Sequence, residues 1–424
     1  MKVGVYIGGI RPQGGGAFTF ESSIVEALIA NRNKHELVFF FYGHVPERWP
    51  DLGVKYVQLK YPPAQKSASG RFKIFRKIID RLTRNQKDID LLKSKIADLS
   101  YMSDCNNNLN AALLENKIEI VWFLNQGFIP VQVPAVTTVW DFGHKEIPIF
   151  PEISFSGSTF EARQSHLQAI VGRSCAIFVG TDTARIDIER FFGVPKEKVY
   201  VNPFPVPKDL ENIDLTSPLI RPDRLPIELE TKDFIFYPAQ FWPHKNHVLL
   251  FEALKILKDQ YQIEMTLVLT GADKGNLTYL KDKVRQMSLE KQVYFLGFVE
   301  REDVIYLYRQ CRAMVFPSLL GPDNFPPIEA MALGCPVVAA NVRGASSQLG
   351  DAACIFNGTS EVDFVEKLLP ILKNSEQRQM WIEKGFQQVA NLKAENYAAK
   401  AISVIDSMEA YRRNWSPTEV FVHL

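Results

Sequence analysis

Lys245 and Glu329 are the two ionisable residues whose positions point most directly to chemistry. Lys245 follows the apolar run 234–237, and a helical pattern begins directly after it. Glu329 falls in the first turn of another helical pattern, which begins near Pro326 after a loop rich in Gly, Pro, Asp and Asn. Free backbone N–H groups and the positive end of the helix dipole make such a helix start a site for an anion. A lysine there is suited to phosphate, whereas a carboxylate can accept hydrogen bonds from ligand hydroxyls.

Both residues also have a purely structural interpretation. Glu329 can equally be a helix-start carboxylate, which the helix dipole favours on its own. Lysine at a helix start is mildly unfavourable for the same reason, so Lys245 is harder to explain without a ligand. Two further strand ends carry Gly271 and Gly297, where the backbone either approaches a nucleotide or makes a plain tight turn.

A glycine cluster near the amino end has the same context of strand, loop and helix. The apolar run 3–7 leads into two glycines, and Gly14, Gly15 and Gly16 precede a helical pattern. Glycine lets a phosphate or sugar come close to the backbone. The spacing differs from the dinucleotide fingerprint, so this loop alone identifies no ligand.

Apolar runs of strand length alternate with helical patterns along both halves of the chain. Strands are predicted at 3–7, 37–42, 118–123, 135–140, 176–179, 198–201, 234–237, 265–270, 293–296, 313–316, 336–340 and 353–356. Helices are predicted at 160–175, 183–192, 248–259, 277–287, 303–310, 361–372, 376–391 and 395–413. This alternation is typical of parallel sheets covered on both faces, so we predict an α/β protein of two doubly wound units. Ligands of such sheets bind beyond the carboxyl ends of the strands, which predicts a site in the cleft between the units.

Composition limits the classes of function. The 424 residues are 46% apolar and 23% charged, with a net charge of +1. This length predicts two domains, and the near-neutral charge argues against bulk nucleic-acid binding. No apolar run is long enough to span a bilayer, and the amino end lacks a signal-peptide pattern. Five isolated cysteines without metal spacing predict reduced, packed thiols in a cytosolic protein.

Residues 66–84 form a basic amphipathic pattern. Seven lysines and arginines oppose only Asp80, with apolar residues interleaved. Such a segment either makes a peripheral contact with an anionic membrane surface or is an ordinary surface helix. The nearby run 88–90 has the form of a metal-binding DxD motif, but a solvated helix face explains it better, and no metal site is predicted.

Five motifs in the second half carry a resemblance to a known family. They are FYPAQFWPHKNHVLLFEAL, VLTG, VYFLGFV, AMVFPSLLGPDNFPPIEAMALGCPVVAA and LGDAACIF. In this order the chain resembles the group 1 glycosyltransferases, the retaining glycosyltransferases of family 4. The resemblance is strongest over 234–356, and it implies a GT-B fold of two Rossmann-like domains. It further implies an acceptor domain at 1–205, a linker at 206–230, a nucleotide-sugar domain at 231–394 and a last helix, about 395–424, that crosses back.

The resemblance also implies roles for single residues. Lys245 matches the lysine that contacts the donor diphosphate, and Glu329 matches the second glutamate of an E-x7-E pattern, which typically holds the ribose. Asn324 and Phe325 match loop positions whose N–H groups face the phosphates. The positions expected around the donor are Gly14, Gly15, Gly16, Gln240, Gly271, Gly297, Phe298, Val299, Asp323, Asn324, Phe325 and Glu329.

Three positions depart from the family's pattern. The first glutamate of E-x7-E falls at Gly321, and Asp323 is the candidate replacement. The arginine that usually accompanies the lysine falls at Gln240, which leaves one fixed cation fewer. The usual His-Asp pair of the acceptor domain has tryptophan before Asp141, so His144 either takes the histidine role or is structural.

The implied reaction is transfer of a hexose, with mannose favoured, to a saccharide or lipid-linked saccharide. The predicted catalytic residues are Lys245, Glu329, Asp141 and His144. Negative charge grows on the leaving diphosphate, and Lys245 with the helix starts can stabilise it without a metal. The donor is then GDP-mannose or a UDP-sugar, no further cofactor is expected, and the setting is cytoplasmic, with peripheral contact at the inner face of the membrane left open.

Two alternatives remain at this level. A catalytically degenerate nucleotide-sugar-binding subunit is favoured by Gly321 and Gln240. A GT-B-fold epimerase acting on the nucleotide sugar itself would need a cluster of carboxylates and histidine in the cleft, which the sequence does not indicate.

Overall fold

The computed structural model describes residues 1–8, 16–31, 34–42, 53–60, 107–127, 129–154, 160–321 and 323–416. Within these residues the chain forms two parallel sheets, each flanked by helices. The predicted α/β class with two doubly wound units is therefore confirmed. The basic segment 66–84 and the run 88–90 lie outside the described residues.

The first sheet has seven strands. They are β1 (Lys2–Ile7), β2 (Glu36–Tyr42), β3 (Tyr56–Leu59), β4 (Ile120–Phe123), β5 (Ala135–Thr138), β6 (Ser174–Val179) and β7 (Val199–Val201). Their order in the sheet is β3-β2-β1-β4-β5-β6-β7, and all neighbouring pairs are parallel. The order reverses between β1 and β4, so a crevice opens beyond the carboxyl ends of these two strands.

The helices of this half connect the strands. They are α1 (Gly16–Ala30), α2 (107–115), α3 (Gly143–Glu146), α4 (Pro151–Ser154), α5 (Phe160–Arg173) and α6 (Asp182–Phe192). Phe20, Ile24 and Leu28 on α1 are buried, as their helical spacing predicts. Thr181 caps α6, since its side chain accepts a hydrogen bond from the Ala184 N–H.

The second sheet has six strands. They are β8 (Phe234–Pro238), β9 (Thr266–Thr270), β10 (Val293–Gly297), β11 (Ala313–Phe316), β12 (Val337–Ala340) and β13 (Cys354–Phe356). Their order is β10-β9-β8-β11-β12-β13, again with parallel pairing throughout. Here the order reverses between β8 and β11, which places the segments after these strands at one edge of the sheet.

Eight helices follow along the second half in the described residues. They are α7 (His247–Tyr261), α8 (Leu277–Gln286), α9 (Arg301–Gln310), α10 (Phe325–Ala332), α11 (Ala345–Leu349), α12 (Glu361–Lys373), α13 (Ser375–Val389) and α14 (Ala394–Arg412). The predicted strands and long helices are confirmed to within a few residues at their ends. The sequence missed β3, helix α2 and the short helices α3, α4 and α11.

The last helix, α14, lies against the amino-terminal half. The Tyr397 ring on α14 stacks on Trp122 of β4, with ring centroids 6.4 Å apart. The Asn202 side-chain amide donates to the Tyr397 carbonyl at 3.1 Å. The segment before β8 is packed rather than loose, because the Val206 N–H donates to the Leu392 carbonyl at 2.7 Å and Leu229 is fully buried. The two halves are thus joined by apolar contacts as well as by the chain.

The composition predicted packed thiols and no membrane-spanning segment, and the structure bears on both predictions. Cys311 and Cys335 are buried as predicted, whereas Cys175 is exposed, which corrects the expectation that all are packed. Cys105 lies outside the described residues. Within the part of the chain that the structure describes, no helix is long and apolar enough to cross a membrane.

Candidate active site

Lys245 lies where the topology of the second sheet reverses. It closes the 3₁₀ turn Pro243–Lys245 that follows β8, and Asn246 after it adopts a left-handed conformation, with φ of 54°. The Tyr237 hydroxyl donates to the Lys245 carbonyl at 3.0 Å, which ties the turn to the end of β8. The Lys245 Nζ donates to the Ser318 hydroxyl at 3.3 Å and lies 5.2 Å from the centre of the Phe316 ring. The segments that follow β8 and β11 therefore meet at the lysine.

Lys245 is half-buried, and among the described residues no carboxylate lies at ion-pair distance from its ammonium. Burial lowers its pKa to about 8, against the opposing influence of Asp141 and Glu152. A cation that is desolvated but unpaired is held in an unfavourable state, which an anionic ligand would relieve.

A cavity of about 530 Å³ lies between the two halves of the chain. Its amino-terminal wall includes Gly16, Trp140, Asp141, Glu152, Arg163 and Phe204. Its carboxyl-terminal wall includes Trp242, His244, Lys245, Asp323, Asn324 and Phe325. This volume suits a small-molecule ligand, and the mixture of aromatic and charged walls suits a polar one. The predicted meeting of the helix start near Pro326 with Lys245 is what the structure shows.

The start of α10 offers fewer N–H donors than its sequence pattern suggests. Asn324 is the N-cap, so Pro326 and Pro327 occupy the first turn and have no N–H to give. The Asn324 N–H already donates to the Gln348 side chain at 3.0 Å. Of the two loop positions predicted to face phosphates, Phe325 alone keeps an uncommitted N–H, and its ring stacks on Phe204 with centroids 5.1 Å apart.

Glu329 is held by protein donors. Its carboxylate accepts from the Arg301 guanidinium at 2.9 Å and from the Tyr308 hydroxyl at 3.0 Å. Arg301 also pairs with Asp209 at 2.6 Å. The carboxylate is 7% exposed and does not line the cavity, so its contact with a ribose remains a prediction. Arg301, which fixes this carboxylate, carried no signal in the sequence.

The amino-terminal wall brings two predicted residues, Gly16 and Asp141, to the cavity, together with the unpredicted ionisable residues Glu152 and Arg163. Asp141 accepts from the Gly143 N–H at 3.0 Å. Glu152 on α4 reaches across the cavity and accepts from the His244 ring at 2.6 Å and from the His244 N–H at 2.9 Å. Burial lowers the pKa of His244 to about 4, so the pair is a neutral imidazole donating to a carboxylate at neutral pH. Glu152 and Arg163 were missed, since nothing in the local pattern marks either one.

His144 lies behind this wall rather than on the cavity. It is 1% exposed, and its Nε2 lies 3.1 Å from the Gln164 side-chain oxygen. Burial lowers its pKa, so the ring is neutral near neutral pH. Of the two roles left open by the sequence, this placement favours the structural one.

Asp323 faces the amino-terminal half. Its carboxylate occupies the space beside Gly180, where a Cβ on that glycine would lie 2.3 Å from Oδ2. Burial raises the pKa of Asp323 to about 7, and the Gly180 N–H partly offsets this. Asp323 therefore lines the cavity as predicted, but it also forms part of the contact between the two halves.

The remaining predicted donor positions divide into four groups. Gln240 accepts from the Trp242 indole at 3.0 Å and lies outside the cavity lining. Gly271 has φ of 143°, and its Cβ would lie 2.4 Å from the Ala239 carbonyl, so packing alone requires glycine there. Gly297 has φ of 70° with open space around it, and it precedes Phe298, which is 53% exposed, and Val299. Gly14 and Gly15 lie outside the described residues.

Comparisons with known proteins bear on this site. Residues 223–388 match the family model of the group 1 glycosyl transferases. Over 232 residues the chain is 26% identical to O-antigen chain mannosyltransferase B from Escherichia coli. That match covers 54% of this chain and 59% of the relative, less than two thirds of the relative's length.

Solved structures share the arrangement over almost the whole chain. Sucrose-phosphate synthase from Thermosynechococcus elongatus has a TM-score of 0.70 at 17% identity, covering 97% of this chain and 99% of that one. HepE from Anabaena, solved with UDP and glucose, has a TM-score of 0.62 at 15% identity, covering 96% and 100%. At such identities the likeness shows the fold alone, and it confirms the predicted GT-B arrangement of two Rossmann-like domains. Residues 223–388 are therefore similar to the group 1 glycosyl transferases, and the chain as a whole has the GT-B fold.

Proposed function

We propose that the protein transfers a hexose from a nucleotide-diphosphate sugar to a saccharide or lipid-linked saccharide, with retention of configuration at the anomeric carbon. The observation that carries this proposal is the half-buried ammonium of Lys245, which lines the cavity between the two domains without a carboxylate partner among the described residues. The bond between the anomeric carbon and the diphosphate oxygen breaks, and a bond to an acceptor oxygen forms. The acceptor proton passes to the leaving phosphate, and a nucleoside diphosphate is released.

The residues that line the cavity fit the demands of this reaction. Negative charge grows on the leaving diphosphate, and Lys245 lies where that charge would be received. The Phe325 N–H at the start of α10 is a second donor on the same wall. Closure of the domains over the donor excludes water and so limits hydrolysis. Asp141, Glu152 and Asp323 supply carboxylates at which sugar hydroxyls can donate.

Mannose is the proposed sugar, and GDP-mannose or a UDP-sugar the proposed donor. The support is the similarity to a protein named for O-antigen mannosyl transfer, together with the WPHKNH and GPDNFPPIEA motifs. Glycan assembly at the cytoplasmic side of a membrane is the proposed setting. Residues 66–84 supply a candidate contact with that membrane.

The test is transfer and donor hydrolysis by the purified chain with a panel of GDP- and UDP-sugars. Lys245→Ala should lower kcat by about 100-fold or more, since it removes a donor to the developing charge. Lys255→Ala on the exposed side of α7 is the matched control and should leave kcat unchanged. Proton NMR of the product reports the anomeric configuration. Unchanged turnover in Lys245→Ala would remove the lysine from this role, and an inverted product would overturn retention.

A catalytically degenerate subunit is the second candidate. Gln240 and Gly321 stand where the family's pattern has an arginine and a glutamate, and on the carboxyl-terminal wall Asp323 is the candidate replacement for the glutamate alone. A purified chain that binds a nucleotide sugar, yet neither transfers nor hydrolyses it, would favour this role over catalysis.

An epimerase is the third candidate, and one observation now favours it more than the sequence did. Asp141, Glu152, Asp323 and His244 line one cavity, which is the kind of cluster that proton abstraction requires. Incubating each donor without acceptor and following its sugar signals by NMR decides the matter. We expect no epimer, and an epimeric nucleotide sugar would replace the transfer proposal.

A further inference from the structure

The proposed diphosphate site is short of fixed positive charge on its own wall. Gln240 stands at the position of the usual arginine and instead accepts from the Trp242 indole. Two of the first-turn positions of α10 are prolines, and the Asn324 N–H is already engaged. This leaves Lys245, with the Phe325 N–H, to receive the negative charge of a diphosphate. Asp141 and Glu152 also line the cavity, which adds to the need for cations there.

Arg163 supplies a cation from the opposite wall. It lies in the first turns of α5 in the amino-terminal domain, and its side chain lines the same cavity as Lys245. Its Nε is enclosed and has no hydrogen-bond partner. Leaving a buried guanidinium donor unsatisfied is costly, because the group loses its water without gaining an acceptor.

Other arginines at the contacts between the two halves are paired. Arg301 binds Asp209 and Glu329, and Arg343 binds Asp187 through two nitrogens. Among the described residues, Arg163 has no carboxylate within ion-pair distance, and its Nε has no hydrogen-bond acceptor. A planar guanidinium with donors facing a cavity is the group best suited to two neighbouring phosphate oxygens.

Resting on the proposed function, we propose that Arg163 is the second cation of the donor diphosphate and replaces, from the amino-terminal domain, the arginine that Gln240 lacks. The two cations of the site then come from different domains. Lys245 and Arg163 can hold one diphosphate together only while the domains face each other across the cavity. Donor binding therefore favours the closed arrangement, and stabilisation of the leaving group depends on it.

The test compares nucleoside diphosphate and monophosphate binding to the full chain by calorimetry. Both nucleotides carry the base whose nucleoside diphosphate binds the wild-type protein. Arg163→Gln should weaken diphosphate binding at least tenfold and monophosphate binding much less, because the lost contact is to the second phosphate group. Arg163→Lys should fall between the two, since it keeps the charge but loses the paired donors. Arg173→Gln, at the exposed end of the same helix, is the matched control and should bind as wild type does.

A rescue variant separates this role from a general weakening of the wall. Arg163→Gln combined with Gln240→Arg should recover most of the lost diphosphate affinity, whereas Gln240→Arg alone should raise affinity only slightly. Failure of the rescue with intact thermal stability would overturn the proposed replacement. If Arg163→Gln fails to fold, Arg163→Lys and its double variant with Gln240→Arg give the same comparison.

The outcomes also distinguish this inference from the proposed function. If the wild-type protein binds a nucleoside diphosphate and Arg163→Gln binds it with the same affinity, the proposed role of Arg163 is overturned and the proposed function stands. If Arg163→Gln raises the KM for the acceptor but leaves the Kd of the diphosphate unchanged, Arg163 contacts an anionic group of the acceptor. That result also overturns its proposed role at the diphosphate. Absence of diphosphate binding in the wild-type protein overturns the proposed function itself.

Discussion

At the scale of single residues, the site depends on ionisable groups whose pKa values the fold shifts from their ordinary values. Lys245, with a pKa lowered to about 8, and Asp323, with a pKa raised to about 7, line the same cavity. Both shifts come first from desolvation, which disfavours the charged form of either group. Ligand binding and stability should therefore respond to pH within the range in which these groups titrate.

Nucleoside diphosphate affinity should fall as pH rises above about 8, where Lys245 loses its proton. Below that pH the ammonium is charged and attracts the anion, and above it affinity can fall by up to about tenfold per pH unit. Calorimetric Kd values on either side of this pKa measure the fall. Lys245→Arg should give a flat profile, since arginine keeps its charge throughout. A wild-type profile that is equally flat would show that the lysine does not hold the diphosphate.

Asp323→Asn should stabilise the protein at pH 8 and have little effect near pH 4. The pKa of Asp323 rises from 3.8 to about 7 on folding, so the folded chain binds the proton more tightly. Its contribution to the free energy of unfolding therefore falls as pH rises through this range. Asparagine has no charge to bury, so Asp323→Asn should raise the free energy of unfolding at pH 8 by about 1 kcal/mol or more. Urea unfolding of both proteins at the two pH values checks the sign, and a larger gain at the acid pH would contradict it.

At the scale of elements, the sequence predicted the long helices and the strands because their burial has a regular period. The fully buried run of β11 and the one-sided burial of α7 are examples, and both were placed within a few residues. Helix α4 was missed, since four residues cannot show a 3.6 period, and Glu152 was missed with it. Contacts between the domains, such as Asp323 with Gly180, join residues far apart in the sequence, and no local pattern encodes them.

Gly180→Ala tests the contact between the loop before α10 and the end of β6. Its backbone does not require glycine, but the added Cβ would meet the Asp323 carboxylate of the other domain. Overpacking of this kind costs about 1–3 kcal/mol, so the two domains should be pushed apart and kcat/KM should fall about tenfold or more. Steady-state kinetics measure the loss.

Gly172→Ala, where a Cβ meets open space, is the matched control for Gly180→Ala. Because Lys245 and Arg163 are proposed to hold the diphosphate from opposite domains, Gly180→Ala should also weaken diphosphate binding. Shortening the facing side chain in Gly180→Ala with Asp323→Ala should restore that affinity if the clash is the cause. Unaltered kinetics in Gly180→Ala would show that the domains tolerate a wider spacing at this point.

At the scale of the whole molecule, paired side chains outside the cavity lining join the domains. Arg343 follows β12 and binds the fully buried Asp187 of α6, at 2.7 Å between Nε and Oδ2 and 2.5 Å between Nη2 and Oδ1. The Thr183 and Ser347 hydroxyls lie 3.1 Å apart beside this pair. These contacts lie between α6 and the region after β12, so they act on domain spacing without touching the proposed diphosphate site.

Arg343→Ala should open the cleft and destabilise the protein by about 2 kcal/mol. Removing one partner leaves the Asp187 carboxylate buried and unpaired, but the loss stays below that of a fully buried pair because the Arg343 side chain is 41% exposed. Small-angle scattering should show a larger radius of gyration, and urea unfolding should show the lower stability. Arg343→Ala with Asp187→Asn removes the stranded charge and should recover part of the stability, while the cleft stays open because the bridge is still absent. Recovery of the compact radius in the double variant would mean that the stranded charge, and not the lost bridge, had driven the domains apart.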